Sequence, residues 1–126
     1  MTDAEKLAIA RAYVDATATN DSEALWGIHE PDATTWHNFD GLEVSVDRSA
    51  QSLAWLHRTV SDLRLENVRV IATAEGFVVR WTMPGRAPSG PLRAHSCVVV
   101  TLSPAGKVAR AAEYVDTAQL AVLRSA

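Results

Sequence analysis

The sequence has a single cysteine, Cys97, so no disulfide can form within the chain. That fits a reducing compartment, with Cys97 read as a small buried hydrophobe. Basic runs are also missing. The 12 Lys and Arg are interspersed with 15 Asp and Glu, for a net charge of -3. This argues against nucleic acid and anionic membrane as partners. No stretch approaches the roughly 20 apolar residues of a membrane span. Residues 1–15 carry Asp3 and Glu5, where a signal peptide would be apolar. A soluble, cytoplasmic protein is expected. No His/Cys cluster has zinc spacing, no His-Glu-x-x-His occurs, and no Gly-rich phosphate loop is present. Neither a metal nor a cofactor is therefore expected.

What is there is a chain of 126 residues, 48% hydrophobic and 21% charged, enough to bury a core in one domain spanning 1–126. Thr2-Asp3-Ala4-Glu5 reads as a capping box that opens a helix to about Ala18. Leu7, Ala10, Val14 and Ala18 form its apolar stripe, widened by Ile9, Tyr13 and Ala16. Asn20-Asp21-Ser22-Glu23 caps a short second helix that Pro31 is expected to end. Ala33 to Asn38 reads as a strand, Asp40-Gly41 as a turn, and Asp47 as the cap of a third helix.

From Leu63 onward the period changes to two. Leu63 and Leu65 alternate with polar residues, and the phase then slips to Val68 and Val70, the mark of a β-bulge. Strands follow at Phe77–Met83, Leu92–Leu102 and Lys107–Val115. The segment 84–91 is rich in Pro and Gly and reads as a mobile loop. Asp116-Thr117-Ala118-Gln119 caps a short last helix. Helices grouped ahead of a meander imply α+β, with helices on one face of an antiparallel sheet. If the sheet curves around the first helix, it makes a cone with a pocket inside.

Several short motifs in this order resemble the nuclear transport factor 2-like superfamily and, within it, the SnoaL-like proteins. They are Ala12-Tyr13-Val14 followed by Asn20-Asp21, Pro31-Asp32-Ala33-Thr34, Phe77-Val78-Val79-Arg80-Trp81, Gly106-Lys107-Val108 and Glu113-Tyr114-Val115-Asp116. The resemblance implies a cystatin-like α+β barrel, a cone-shaped curved antiparallel sheet wrapped around a long N-terminal helix. It also implies homodimerisation through the outer sheet face. The superfamily holds isomerases, cyclases, dehydratases and non-catalytic adaptors, so fold alone leaves both an enzyme and a binding module open.

The resemblance also implies site residues. Tyr13 matches the oxyanion-hole tyrosine of the ketosteroid isomerases. Their general-base aspartate falls at His37, and their second oxyanion donor falls near Val98, which has no side-chain donor. Asp116 matches the acid–base aspartate of SnoaL-like cyclases. Glu113 lies on the pocket-facing side of the last strand, where burial would raise its pKa. Trp55, Val79, Trp81 and Met83 match lining positions. The candidate catalytic set is thus His37, Tyr13, Glu113 and Asp116. The expected ligand is a small apolar or aromatic molecule with a carbonyl or hydroxyl group. His95 is expected on the outer sheet surface, and His29 and His57, near helix ends, in solvent.

Overall fold

Local signals start the chain as read. In a computed structural model, which describes residues 1–124, helix α1 runs from Asp3 to Thr19. The Thr2 hydroxyl accepts from the Glu5 amide and donates to the Glu5 carboxylate, both at 3.1 Å. Its buried face is rotated from the expected stripe: Leu7 is exposed, while Ala10 and Ala16 are buried and Ile9, Tyr13 and Val14 pack on the core. Asp21 caps α2 (Ser22–Ile28).

Strand β1 (His29–His37) starts directly after α2. It begins four residues before the expected start at Ala33 and contains Pro31, so the helix ends at Ile28 without Pro31 to stop it. A short strand not expected from the sequence, β2 (Glu43–Ser45), follows the Asp40-Gly41 turn. Helix α3 (Val46–Thr59) is capped by Ser45, whose hydroxyl accepts from the Arg48 amide; Asp47 instead occupies the first turn.

Strands β3 (Glu66–Ala72), β4 (Gly76–Ala87), β5 (Gly90–Leu102) and β6 (Val108–Val115) complete the sheet, and a 3₁₀ helix (Thr117–Leu123) follows. The expected bulge appears as a register shift between Glu66 and Arg69, with Asn67 at φ 54°. The segment 84–91 is not a loop. It is a hairpin paired up to Ala87 and Gly90. Pro84 is tolerated because its carbonyl accepts from Arg64 on the side away from β5. Its missing N–H therefore leaves the β4–β5 ladder intact.

The strand order is β2-β1-β6-β5-β4-β3, an open curved sheet. It is antiparallel except between β1 and β6, which run parallel. The Asn38 side chain clamps the end of this seam, donating to the Val115 carbonyl at 3.0 Å and accepting from its amide at 2.9 Å. On the concave side, Phe77, Val79, Trp81, Val98, Val100 and Ala111 form the core with Ala10. On the convex side, the pairing aligns Ile71, Val78, Val99, Ala112 and Trp36 in one apolar row. Cys97 is half-buried on this face, between Arg80 and Tyr114, not in the core. No described helix is long and apolar enough to cross a membrane.

Gly76 begins β4 where the chains crowd: a Cβ there would meet the Val100 carbonyl oxygen and carbon. Backbone cannot swing aside as a side chain can. Gly76→Ala is expected to cost about 1–3 kcal/mol, read as a lower midpoint in urea unfolding.

Candidate functional site

The sheet pairing builds the site from two distant segments. In β1, Ala33, Thr35 and His37 are buried on one side. In β6, the parallel register places Glu113 beside His37. These two polar residues end an inner row that otherwise reads Val70, Val79, Val98. His37 Nε2 stands 3.7 Å from Glu113 Oε1, and the imidazole stacks on Phe39 with centroids 4.8 Å apart. His37 Nδ1 is buried and has no partner among the described residues.

A cavity of about 550 Å³ opens between the concave sheet, α3 and the 3₁₀ helix. Trp55, Leu56, Trp81, Met83, Leu25 and Val115 supply apolar wall. Tyr13, His29, Thr35, His37, Ser96 and Glu113 supply polar groups. Tyr13 reaches it from α1, with its ring 5.9 Å from Phe77 and 6.4 Å from Trp81.

Burial sets the protonation states. It pushes the Glu113 carboxyl up to about 7. It lowers the pKa of His37, against the pull of the Asp40 charge. It raises the pKa of Tyr13, helped by the charge of Glu113. Near neutral pH the cavity therefore offers a neutral imidazole, a carboxyl able to give or take a proton, and a phenol that stays a donor. Proton transfer on a bound molecule is within reach of this set.

The structure brings Tyr13, His37 and Glu113 together and places Trp55, Trp81 and Met83 on the walls. Two expected site residues stand apart. Val79 is fully buried in the core beneath the cavity and does not line it. Asp116 is exposed and caps the 3₁₀ helix, accepting from the Ala118 amide at 3.1 Å. A short helix start in need of a cap accounts for its position. Val98 is buried in the core row next to Glu113.

His29 differs from expectation in the other direction. It is 7% exposed, lines the cavity and donates from Nδ1 to the Leu25 carbonyl at 2.6 Å. The strand period does not find it, because the alternation breaks between His29 and Thr34, where Pro31 and Asp32 are both exposed. His57 is also half-buried, bonded to the Thr17 carbonyl at 3.0 Å. His95 is exposed, as expected, and bonded to Gln119.

The model of the SnoaL-like domain matches residues 10–111. The chain belongs to the SnoaL-like domain family. Solved structures agree with this family's fold, that of the nuclear transport factor 2-like superfamily. PrhC from Penicillium brasilianum NBRC 6234 is 13% identical, with TM-score 0.82, over 98% of this chain and 87% of that one. BvnE pinacolase from Penicillium brevicompactum is 12% identical, with TM-score 0.80, over 94% and 91%. A protein of ketosteroid isomerase-like fold from Catenulispora acidiphila DSM 44928, solved with trimethylamine, is 11% identical, with TM-score 0.72, over 84% and 83%. At such identities the likeness of this SnoaL-like chain to each is one of fold. No curated protein matches the sequence.

Proposed function

We propose that this SnoaL-like protein binds an apolar or aromatic small molecule bearing a carbonyl or hydroxyl group and moves a proton on it without a cofactor. Isomerisation, cyclisation and dehydration all fit this description. The observation that carries the reading is the His37–Glu113 pair, 3.7 Å apart in an apolar cavity, with the carboxyl pushed up to about 7. In the simplest case, neutral His37 takes a proton from the carbon next to a carbonyl. The C–H electrons move toward the carbonyl oxygen, and Tyr13 donates a hydrogen bond to the resulting oxyanion. Glu113 stabilises the imidazolium, and the proton returns to the substrate at a second atom.

The test is hydrogen–deuterium exchange of 2-tetralone in D₂O, followed by NMR. Exchange accelerated by the protein supports proton abstraction. Tight binding without acceleration favours the alternative, a non-catalytic ligand-binding or dimerisation module. One observation favours that alternative: Val98, where the resemblance implies a second oxyanion donor, is buried in the core and has no donor to offer.

The convex face supports a homodimer. Val99 and Tyr114 are 43% and 48% exposed, and the apolar row crosses five strands. Light scattering at micromolar concentration is expected to give twice the chain mass. A monomer mass removes this proposal and leaves the cavity untouched.

A further inference from the structure

We infer that His29 is a specificity-determining residue of the cavity, accepting through Nε2 a hydrogen bond from a hydroxyl group on the ligand. This rests on the reading of the cavity as a small-molecule site. Geometry fixes the tautomer. Nδ1 lies 2.6 Å from the Leu25 carbonyl oxygen, which can only accept, so Nδ1 carries the hydrogen. A neutral imidazole then has a bare lone pair at Nε2. Burial favours the neutral form, since it lowers the His29 pKa against the pull of the Leu25 bond.

Nε2 has no hydrogen-bond partner among the described residues, yet the side chain lines the cavity. The ring stands 6.1 Å from that of Tyr13 at a tilt of 40°, on the helical side of the cavity. The polar groups of the pocket thus differ in kind. Tyr13 donates to a ligand oxygen, and His29 asks for a ligand hydrogen. A ring compound with a carbonyl and a free hydroxyl satisfies both. A ligand with an ether or alkyl group in place of that hydroxyl covers the Nε2 lone pair without pairing it.

The test compares 2-naphthol with 2-methoxynaphthalene, which differ in the donor hydrogen. Calorimetry is expected to show 2-naphthol bound about tenfold more tightly by the wild-type protein, the worth of one hydrogen bond. In His29→Phe, whose ring fills similar space without an acceptor, the two should bind alike. His29→Gln, which regains an acceptor, should restore part of the preference. A preference that survives in His29→Phe overturns the inference. Equal binding by the wild type overturns it too, while the cavity remains a small-molecule site. Binding of neither probe overturns both readings. If His29→Phe does not fold, ¹⁵N spectra of the wild-type imidazoles decide. An unprotonated Nε2 on His29 that shifts with 2-naphthol supports the inference. A protonated Nε2, or no shift at saturation, overturns it.

Discussion

His37→Ala is expected to slow 2-tetralone exchange by roughly 10²–10⁴-fold, the usual worth of a positioned general base. Tyr13→Phe should slow it less, by about tenfold to a hundredfold, the worth of one hydrogen bond to a charged oxygen. The asymmetry follows from the site. In the proposed reaction His37 is the base, and it is held against Glu113 at 3.7 Å and stacked on Phe39. Tyr13 supplies one donor, and Val98, buried in the core row, adds none. Because burial lowers the His37 pKa, the neutral base persists below the ordinary histidine range. The exchange rate should fall only as the pH drops through that lowered value. Exchange that is indifferent to His37→Ala would take the base role from His37 and give it to Glu113, since Asp116 stands outside the cavity.

The second large effect is on stability. Burial moves the Glu113 carboxyl from 4.5 to about 7. Between those values the folded protein holds a proton that the unfolded chain has released, so stability falls as pH rises. The contribution is full below about 4.5 and gone above about 7. The Glu113 side chain is 27% exposed, and solvent screening reduces the effect to about 2 kcal/mol. Glu113→Gln removes this titration. Relative to the wild type, the variant should gain about 2 kcal/mol between acid and neutral pH, measured by urea unfolding at several pH values. His29 and His37, with lowered pKa values, lose stability as pH falls, in both proteins. A difference curve flat across this range would mean that Glu113 titrates as an exposed carboxyl.

Where the determining forces are local, the sequence was readable. The Thr2–Glu5 cap, the Asp21 cap and the slipped phase at Asn67 are decided within a few residues, and each appears in the fold. His37 and Glu113 were readable because strand alternation fixes a face once the family resemblance names the inner one, and Tyr13, on α1, was readable from the resemblance. The errors fall where distant partners decide. Pro84 and Pro91 look like loop residues, but β5 and the segment 61–64 supply the pairing that makes them strand residues. The helix stripe shifted off Leu7 because the sheet chooses which face of α1 to cover. His29 was hidden because the end of α2 and the start of β1 share one residue boundary. Val79 and Trp81 alternate onto the same face; depth in the cone separates core from wall, and no periodicity encodes depth.

The parallel seam between β1 and β6 also sets an order of events during synthesis. Strand β6 leaves the ribosome after every strand it joins, yet it lies in the interior of the sheet between β1 and β5. Until it arrives, β1, β2 and α3 have no ladder connecting them to the β3–β5 meander. The clamp between Asn38 and Val115, 77 residues apart, closes only then. Such long-range closure is slow compared with hairpin formation. The nascent chain therefore carries two unjoined sheet edges and no assembled His37–Glu113 pair, and chaperones would meet it in that state. The His37–Glu113 pair and completion of the fold arrive with the same strand.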